Sequence, residues 1–298
     1  MGLIEDLQKV CDSNLLLRNY PMKKHTSLGV GGNAKYFIAV DSLYLLNNLL
    51  FIAKKRRIPY KVIGAGSNLL VSDNGYDGLI ISTVKLNDVF FKREYVRAMA
   101  GATLSKLGKF NLDHNLTGME RLQKIPATVG GAVVMNAGAF GKTISDYIVE
   151  VETLSDGKIK RYYKDECKFS YRTSRFKGKK ETIVSATFSF ENAEREIIEA
   201  GNKTYADLRE ETQPKGKSCG SVFKNPIAQP AGVLIEKAGL KGYAVGGAFV
   251  SDKHANFILT NSNVRASDVY KLILHIKEKV NNDFGIILEE EVEYLGDF

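Results

Sequence analysis

The run Ile125-Pro126-Ala127-Thr128-Val129-Gly130-Gly131-Ala132-Val133-Val134-Met135-Asn136-Ala137-Gly138-Ala139-Phe140-Gly141 holds four glycines and four alanines in 17 residues, with no charged side chain. Surface loops are ordinarily polar. Side chains this small let a backbone approach a ligand closely, and its N–H groups can then face oxygens such as those of phosphates. The run reads as the wall of a buried cofactor site. A second small-residue loop, Val62-Ile63-Gly64-Ala65-Gly66-Ser67-Asn68-Leu69-Leu70-Val71, begins like a dinucleotide-binding fingerprint. That fingerprint requires a long helix after the glycines. Here the turn signal Asp73-Asn74-Gly75 and then apolar Leu79-Ile80-Ile81 follow, so the pattern is strand, turn, strand. A third cluster, Gly29-Val30-Gly31-Gly32, follows His25-Thr26-Ser27. Each cluster alone is a tight turn by default, but three in the first half of one chain favour a ligand.

The elements that must position these loops are legible in part. Leu3, Ile4, Leu7 and Val10, with Leu15 beyond, have roughly helical spacing. Ser42 is placed to cap a helix carrying Leu43, Leu46, Leu49, Leu50 and Ala53, which ends in Lys54-Lys55-Arg56-Arg57. Thr103 to Asn111 reads as a helix, Ile148 to Tyr163 as a hairpin around Asp156-Gly157, and Glu181 to Phe190 as a strand. Glu191 to Arg209 reads as a helix at a domain junction. Pro230 suits the start of a short helix through Lys237, with Gly239 past its end. Ser267 is a candidate cap for a helix bearing Val269, Leu272, Ile273, Ile276 and Val280, and strands are expected around Phe257–Leu259 and Ile286–Leu288.

Composition sets the outer bounds. The chain has 298 residues, 44% of them hydrophobic, which suits a globular protein with more than one core. Its N-terminus has early acids rather than a signal layout, no apolar run is long enough to span a bilayer, and a cytoplasmic location is expected. Three widely spaced cysteines (Cys11, Cys167, Cys219) and four scattered histidines predict neither a disulfide framework nor a metal site. The net charge of +8 suits phosphorylated ligands. The short basic runs at 54–57 and 177–180 lack the interleaved aromatics of a single-strand binder, so neither nucleic acid nor membrane insertion is expected.

Seven stretches, by their order and spacing, resemble the UDP-N-acetylenolpyruvylglucosamine reductase (MurB) family. They are Gly64 to Leu70, Ile125 to Gly141, Ser170-Tyr171-Arg172, Gly220-Ser221-Val222-Phe223-Lys224-Asn225-Pro226, Ala231 to Glu236, Val250 to Ile258, and Leu288 to Val292. The resemblance runs from about His25 to Glu291 and implies an α+β protein. Its residues 1–200 would form an FAD-binding region of the vanillyl-alcohol oxidase (PCMH) type, made of two α+β subdomains. Residues 201–298 would form a smaller C-terminal α+β substrate domain. The implied activity is NADPH-dependent reduction of the enolpyruvyl ether of UDP-N-acetylglucosamine enolpyruvate, in early peptidoglycan synthesis. FAD and NADPH are the implied cofactors and the UDP-sugar the implied partner, and a monomer is compatible with the sequence.

The family's catalytic arginine, proton donor and C-terminal glutamate fall on Arg172, Ser221 and Glu291. A guanidinium can hold a carboxylate bidentately as it becomes enolate-like. A serine hydroxyl needs a strongly basic carbanion and a dry setting to give up its proton. In Glu289-Glu290-Glu291, strand alternation puts Glu289 and Glu291 on one face, which leaves Glu289 as the alternative to Glu291. Flavin contacts carry over to Gly64, Ala65, Gly66, Ser67, Asn68 and Leu69, and to Pro126, Thr128, Val129, Gly130, Gly131, Ala137 and Gly138. Substrate contacts carry over to Tyr171, Lys224 and Asn225. Gly118 and Glu120 also fit the family, and His25 reads as structural. The sequence departs from the family at Lys124, Ala127 and Val233, and it lacks the tyrosine-bearing loop of the longer branch, which places it with the shorter type II branch. An FAD-dependent alcohol oxidase and a non-catalytic nucleotide-sugar binder are the alternatives.

Overall fold

The computed structural model describes residues 3–298. The chain forms two compact units interleaved along the sequence. The first comprises the described residues through Arg18 together with Tyr36–Ala65 and Gly78–Asp207; the second comprises Asn19–Lys35, Gly66–Asp77 and Leu208–Phe298.

The first unit has two cores. In one, helices α1 (Leu3–Gln8) and α2 (Leu43–Lys55) contribute Leu7, Leu45, Leu46, Leu49 and Ile52 to a cluster with Ile38, Leu79 and Ile81. Each such side chain, fully buried, contributes about 1.5–3 kcal/mol. Behind them Tyr60–Ile63 runs parallel to the strand that carries Leu79, Ile80, Ile81 and Ser82, with Tyr60 opposite Leu79 and Ile63 opposite Ser82. The Ser42 hydroxyl accepts the Leu45 N–H at 3.3 Å, as its position ahead of the apolar stripe requires. In the basic run ending α2, Arg56 is bonded to Asp6 and Lys54 to Asp156.

The second core lies under α3 (Leu104–Asp113), capped by Thr103 onto the Lys106 N–H, and α4 (Val129–Met135). Its five-stranded sheet runs Lys158–Tyr163, Ile148–Ser155, Thr182–Phe188, Tyr95–Met99, Val89–Lys92. The hairpin closes at Asp156-Gly157, both with positive φ (49° and 75°), the geometry of a two-residue turn that matches strand twist. The expected helix from Glu191 begins later, as α5 (Arg195–Thr212), because Glu191–Asn192 pair as a short strand with Leu116–Thr117.

In the second unit α6 (Ala231–Lys237) and α7 (Ala266–Phe284) pack on a three-stranded sheet of Ala244–Val245, Ala248–Val250 and Ile258–Thr260. Pro230 stands at the N-cap of α6, and Gly239 follows its end with φ 73°. Ser267 does not cap α7; it lies inside the helix. The Asp73 carboxylate accepts the Ala266 and Ser267 N–H groups at 2.8 and 3.0 Å, a cap no local sequence pattern could reveal. No strand forms at Ile286–Leu288. Gly285 ends α7 in the left-handed conformation, and pairing resumes at Glu290 and in Glu293–Leu295, which runs parallel to Leu69–Val71.

Candidate active site

Two of the small-residue stretches meet within the first unit. A Cβ at Gly64 would fall 2.1 Å from Thr128 Oγ1, so only glycine fits there. The Ile125–Gly141 run is not loop throughout, as its composition suggested: Val129–Met135 form helix α4. The Val129 and Gly130 N–H groups donate to the carbonyls of Ala102 and Ala100, at 2.8 Å each, which fixes the helix start against a neighbouring turn. The side chains of Val129 and Thr128 are buried, while Ala65, Pro126 and Gly131 are exposed. Those exposed positions carry only small apolar groups, so a flat or phosphorylated ligand can lie close to the backbone. This fits the requirements of a flavin.

Gly66 and the residues after it belong to the second unit. Gly66 has φ +67°, and a Cβ there would fall 2.0 Å from the His25 carbonyl oxygen. Ser27 Oγ donates to the Ser67 carbonyl at 3.2 Å. Gly31 and Gly32 are likewise pressed against Val71 and Asp73. The third glycine cluster is therefore the packing bed for residues 66–73. Asn68 Nδ2 donates to the Glu291 carbonyl at 2.9 Å, and the Asn68 carbonyl accepts the Glu293 N–H at 2.9 Å. Leu69 is buried in the adjoining parallel pair.

Arg172 sits in a tight turn of the first unit. Ser170 and Thr173 exchange both backbone hydrogen bonds, at 3.1 and 3.3 Å, and the turn presents Tyr171 and Arg172 between them. Arg172 has φ +55°, a conformation costing an L-residue about 1–2 kcal/mol. Strain of this kind concentrates at functional positions. Its Nη2 donates to the Gly138 carbonyl at 3.3 Å, and the guanidinium lies 5.2 Å from the centroid of the exposed Tyr171 ring. Asn136, buried and left-handed at the C-cap of α4, donates Nδ2 to the Ser170 carbonyl at 3.0 Å. Its Oδ1 accepts the Ser145 N–H at 3.3 Å. It thus ties the end of the small-residue run, Ala137 and Gly138 included, to the arginine turn.

Ser221 and Glu291 lie on one ladder in the second unit. Residues 221–224 are the middle of three extended segments. On one side Ser221 bridges to Phe257, and the Val222 N–H donates to the Asn256 carbonyl at 2.9 Å. On the other side Phe223 bridges to Glu290, the Glu291 N–H donates to the Val222 carbonyl at 2.7 Å, and the Lys224 N–H to the Glu289 carbonyl at 2.9 Å. The three glutamates are now distinct. Glu289 pairs with Lys224, and Glu290 with Lys277 of α7 at 2.7 Å. Glu291 alone is held through its backbone by both Val222 and Asn68. Asn225 Oδ1 accepts the Ala231 N–H at 3.1 Å, satisfying a donor at the start of α6. Burial, with the charge of Glu291 adding to it, pushes the Cys219 thiol up to about 12, so no thiolate nucleophile forms beside Ser221.

The C-terminal residues 212–295 match the C-terminal domain family of UDP-N-acetylenolpyruvoylglucosamine reductase, and residues 34–162 match the FAD binding domain family. The UDP-N-acetylenolpyruvoylglucosamine reductase of Caldicellulosiruptor bescii is 41% identical over 286 residues, 95% of this chain and 91% of that one. That of Caldanaerobacter subterraneus is 39% identical over 99% of this chain and 98% of its own. The chain belongs to the UDP-N-acetylenolpyruvoylglucosamine reductase family. The crystal structure of MurB from Thermus caldophilus superimposes with a TM-score of 0.80 at 34% identity, covering 92% of this chain and 97% of that one. Phl p 4.0202, a glucose dehydrogenase, is similar over 65% of this chain and 44% of its own at 13% identity and a TM-score of 0.51, a likeness of fold alone. The reductase family and the FAD-binding α+β fold agree with the expectation from the motifs.

Two side chains that organise this family's motif segments here, Asn136 and Asn256, were absent from the sequence-derived set. An asparagine closing a helix in the left-handed conformation is a recognisable signal, and Asn136 before Ala137-Gly138 could have been read that way. Asn256 lies within the matching stretch Val250 to Ile258, but nothing local singles it out, because its side-chain partner Phe223 is 33 residues away.

Proposed function

We propose that the chain reduces the enolpyruvyl ether of UDP-N-acetylglucosamine enolpyruvate to UDP-N-acetylmuramate, with FAD and NADPH, as a cytoplasmic step of peptidoglycan synthesis. Bound FAD would supply the hydride, replenished from NADPH, to one carbon of the double bond. The protein must then stabilise the charge that develops on the substrate and deliver a proton to the other carbon. Arg172 holds the substrate carboxylate as its oxygens become enolate-like. Ser221 donates its hydroxyl proton to the carbon and recovers one from solvent. Glu291, on the same ladder, orients that hydroxyl or the water that replenishes it. Residues Gly64 to Leu69 and Pro126 to Gly131, with Ala137 and Gly138, hold the flavin, and residues 1–200 form its binding region. Residues 201–298 form the substrate domain, in which Lys224 leaves Glu289 to meet a phosphate, and Asn225 and Tyr171 complete the nucleotide-sugar contacts. The described helices include none long and apolar enough to cross a membrane.

The observation that carries this reading is the register of the ladder: the family's serine and glutamate lie on segments bonded directly to each other at Val222 and Glu291. The test is an anaerobic visible spectrum of the purified protein. Flavin bands that bleach with NADPH and return on adding the enolpyruvyl sugar nucleotide support it. A protein that takes up no FAD, or whose bleached bands do not return with that substrate, contradicts it.

A further inference from the structure

We propose that Asn256 is a positioning residue for Ser221, acting through the Phe223 peptide; the proposal rests on the reading of Ser221 as proton donor. Asn256 is 2% exposed. Its Oδ1 accepts the Phe223 N–H at 2.9 Å and its Nδ2 donates to the Phe223 carbonyl at 2.8 Å, so one planar amide grips both polar groups of one residue. Its own carbonyl takes the Val222 N–H. The clamp is itself held: the Asn256 N–H donates to His254 Nδ1 at 3.3 Å, and Ser251 Oγ accepts the Lys253 and His254 N–H groups at 3.1 and 3.3 Å.

A buried asparagine is ordinarily a satisfied core residue and no more. What sets this one apart is the residue it grips. Phe223 also bridges to Glu290, and the adjoining Val222 carbonyl receives the Glu291 N–H. A shift of the Phe223 peptide therefore moves Ser221 relative to Glu291. A misplacement of about 1 Å at a reacting centre costs on the order of 100-fold in rate. No other uncharged side chain of this size carries a donor and an acceptor on one plane. Aspartate keeps the shape but faces the Phe223 carbonyl with a second acceptor, and alanine keeps neither bond.

The test compares Asn256→Asp and Asn256→Ala with the wild-type, FAD-loaded protein in two separate half-reactions, and adds amide hydrogen exchange of the 219–224 segment. We expect flavin reduction by NADPH to stay within about 3-fold. Reoxidation by the enolpyruvyl substrate should fall about 30- to 100-fold, with a larger solvent deuterium isotope effect as proton delivery becomes limiting. The Val222 and Phe223 amides should exchange faster. Adding Ser221→Ala to Asn256→Ala should cost no more than Ser221→Ala alone, because residues acting as a unit are non-additive. Equal slowing of both half-reactions, unchanged reoxidation, or loss of bound flavin in both variants would overturn the proposal and leave Asn256 a structural residue. Wild-type reoxidation in Ser221→Ala would instead overturn the assignment of Ser221, independently of Asn256.

Discussion

The turn around Arg172 and the segment around Ser221 solve the same problem in opposite ways. Arg172 is presented at the tip of a two-residue turn, with a left-handed backbone and the Asn136 amide on the preceding Ser170 carbonyl. Ser221 lies in a segment paired on both edges, flanked by the fully buried Val222 and Phe223 and gripped by Asn256. In the role proposed for Arg172, a group that clasps a carboxylate whose charge distribution changes can be carried on a strained tip. In the role proposed for Ser221, a group that delivers a proton along one direction needs a backbone that does not move. The comparison implies that the turn is the softer of the two, and that damage to it will appear in substrate binding as well as in rate.

Three perturbations sharpen that contrast. The largest effect is expected from Arg172→Lys, which keeps the charge but loses the two-pronged geometry. It should lower kcat/KM by about 100- to 1000-fold in steady-state assays, while flavin content is unchanged. Next comes Asn136→Ala, which removes the bonds to Ser170 and Ser145 and a side chain suited to the left-handed cap. A loss of about 1–2 kcal/mol of stability is expected by denaturant unfolding, with kcat/KM down roughly 10-fold. Asn136→Gly restores backbone freedom but not the bonds. Recovery of stability without recovery of kcat/KM would assign the activity loss to the turn, whereas recovery of both would remove Asn136 from the account.

The smallest effect is expected at Asp73, remote in role from both. Asp73→Ala should cost about 1 kcal/mol through the lost α7 cap, with kcat/KM unaltered. Burial alone would raise this carboxyl, but hydrogen bonds from Ser267 and Ala266 hold it below its ordinary value. Its contribution is therefore present above the unfolded-state value and lost as pH falls through the lower, folded-state one. The stability gap between wild type and Asp73→Ala should close below about pH 4, measured by thermal unfolding across pH.

Legibility followed sequence separation. The Ser42 cap, the Asp156-Gly157 turn and the Pro230-to-Gly239 helix were visible because each is decided within a few residues. The cap of α7 comes from a residue 193 positions away, which diverted the local reading to Ser267. Helix α4 was hidden in a run whose glycines disfavour helix, and it forms because Ala100 and Ala102 receive its first N–H groups. At the site, the motif supplied residue types and strand alternation set Glu290 apart, but Glu289 and Glu291 differ only in their partners: Lys224 for Glu289, and the Val222–Asn68 backbone clasp for Glu291.

The most direct measurement is stopped-flow of Ser221→Ala against wild type, with flavin reduction by NADPH and reoxidation by the enolpyruvyl substrate followed separately. Reduction at the wild-type rate with reoxidation slowed about 100- to 10,000-fold, the range for loss of a general acid, is the expected result. Reoxidation at the wild-type rate would place the proton donor elsewhere and contradict the account.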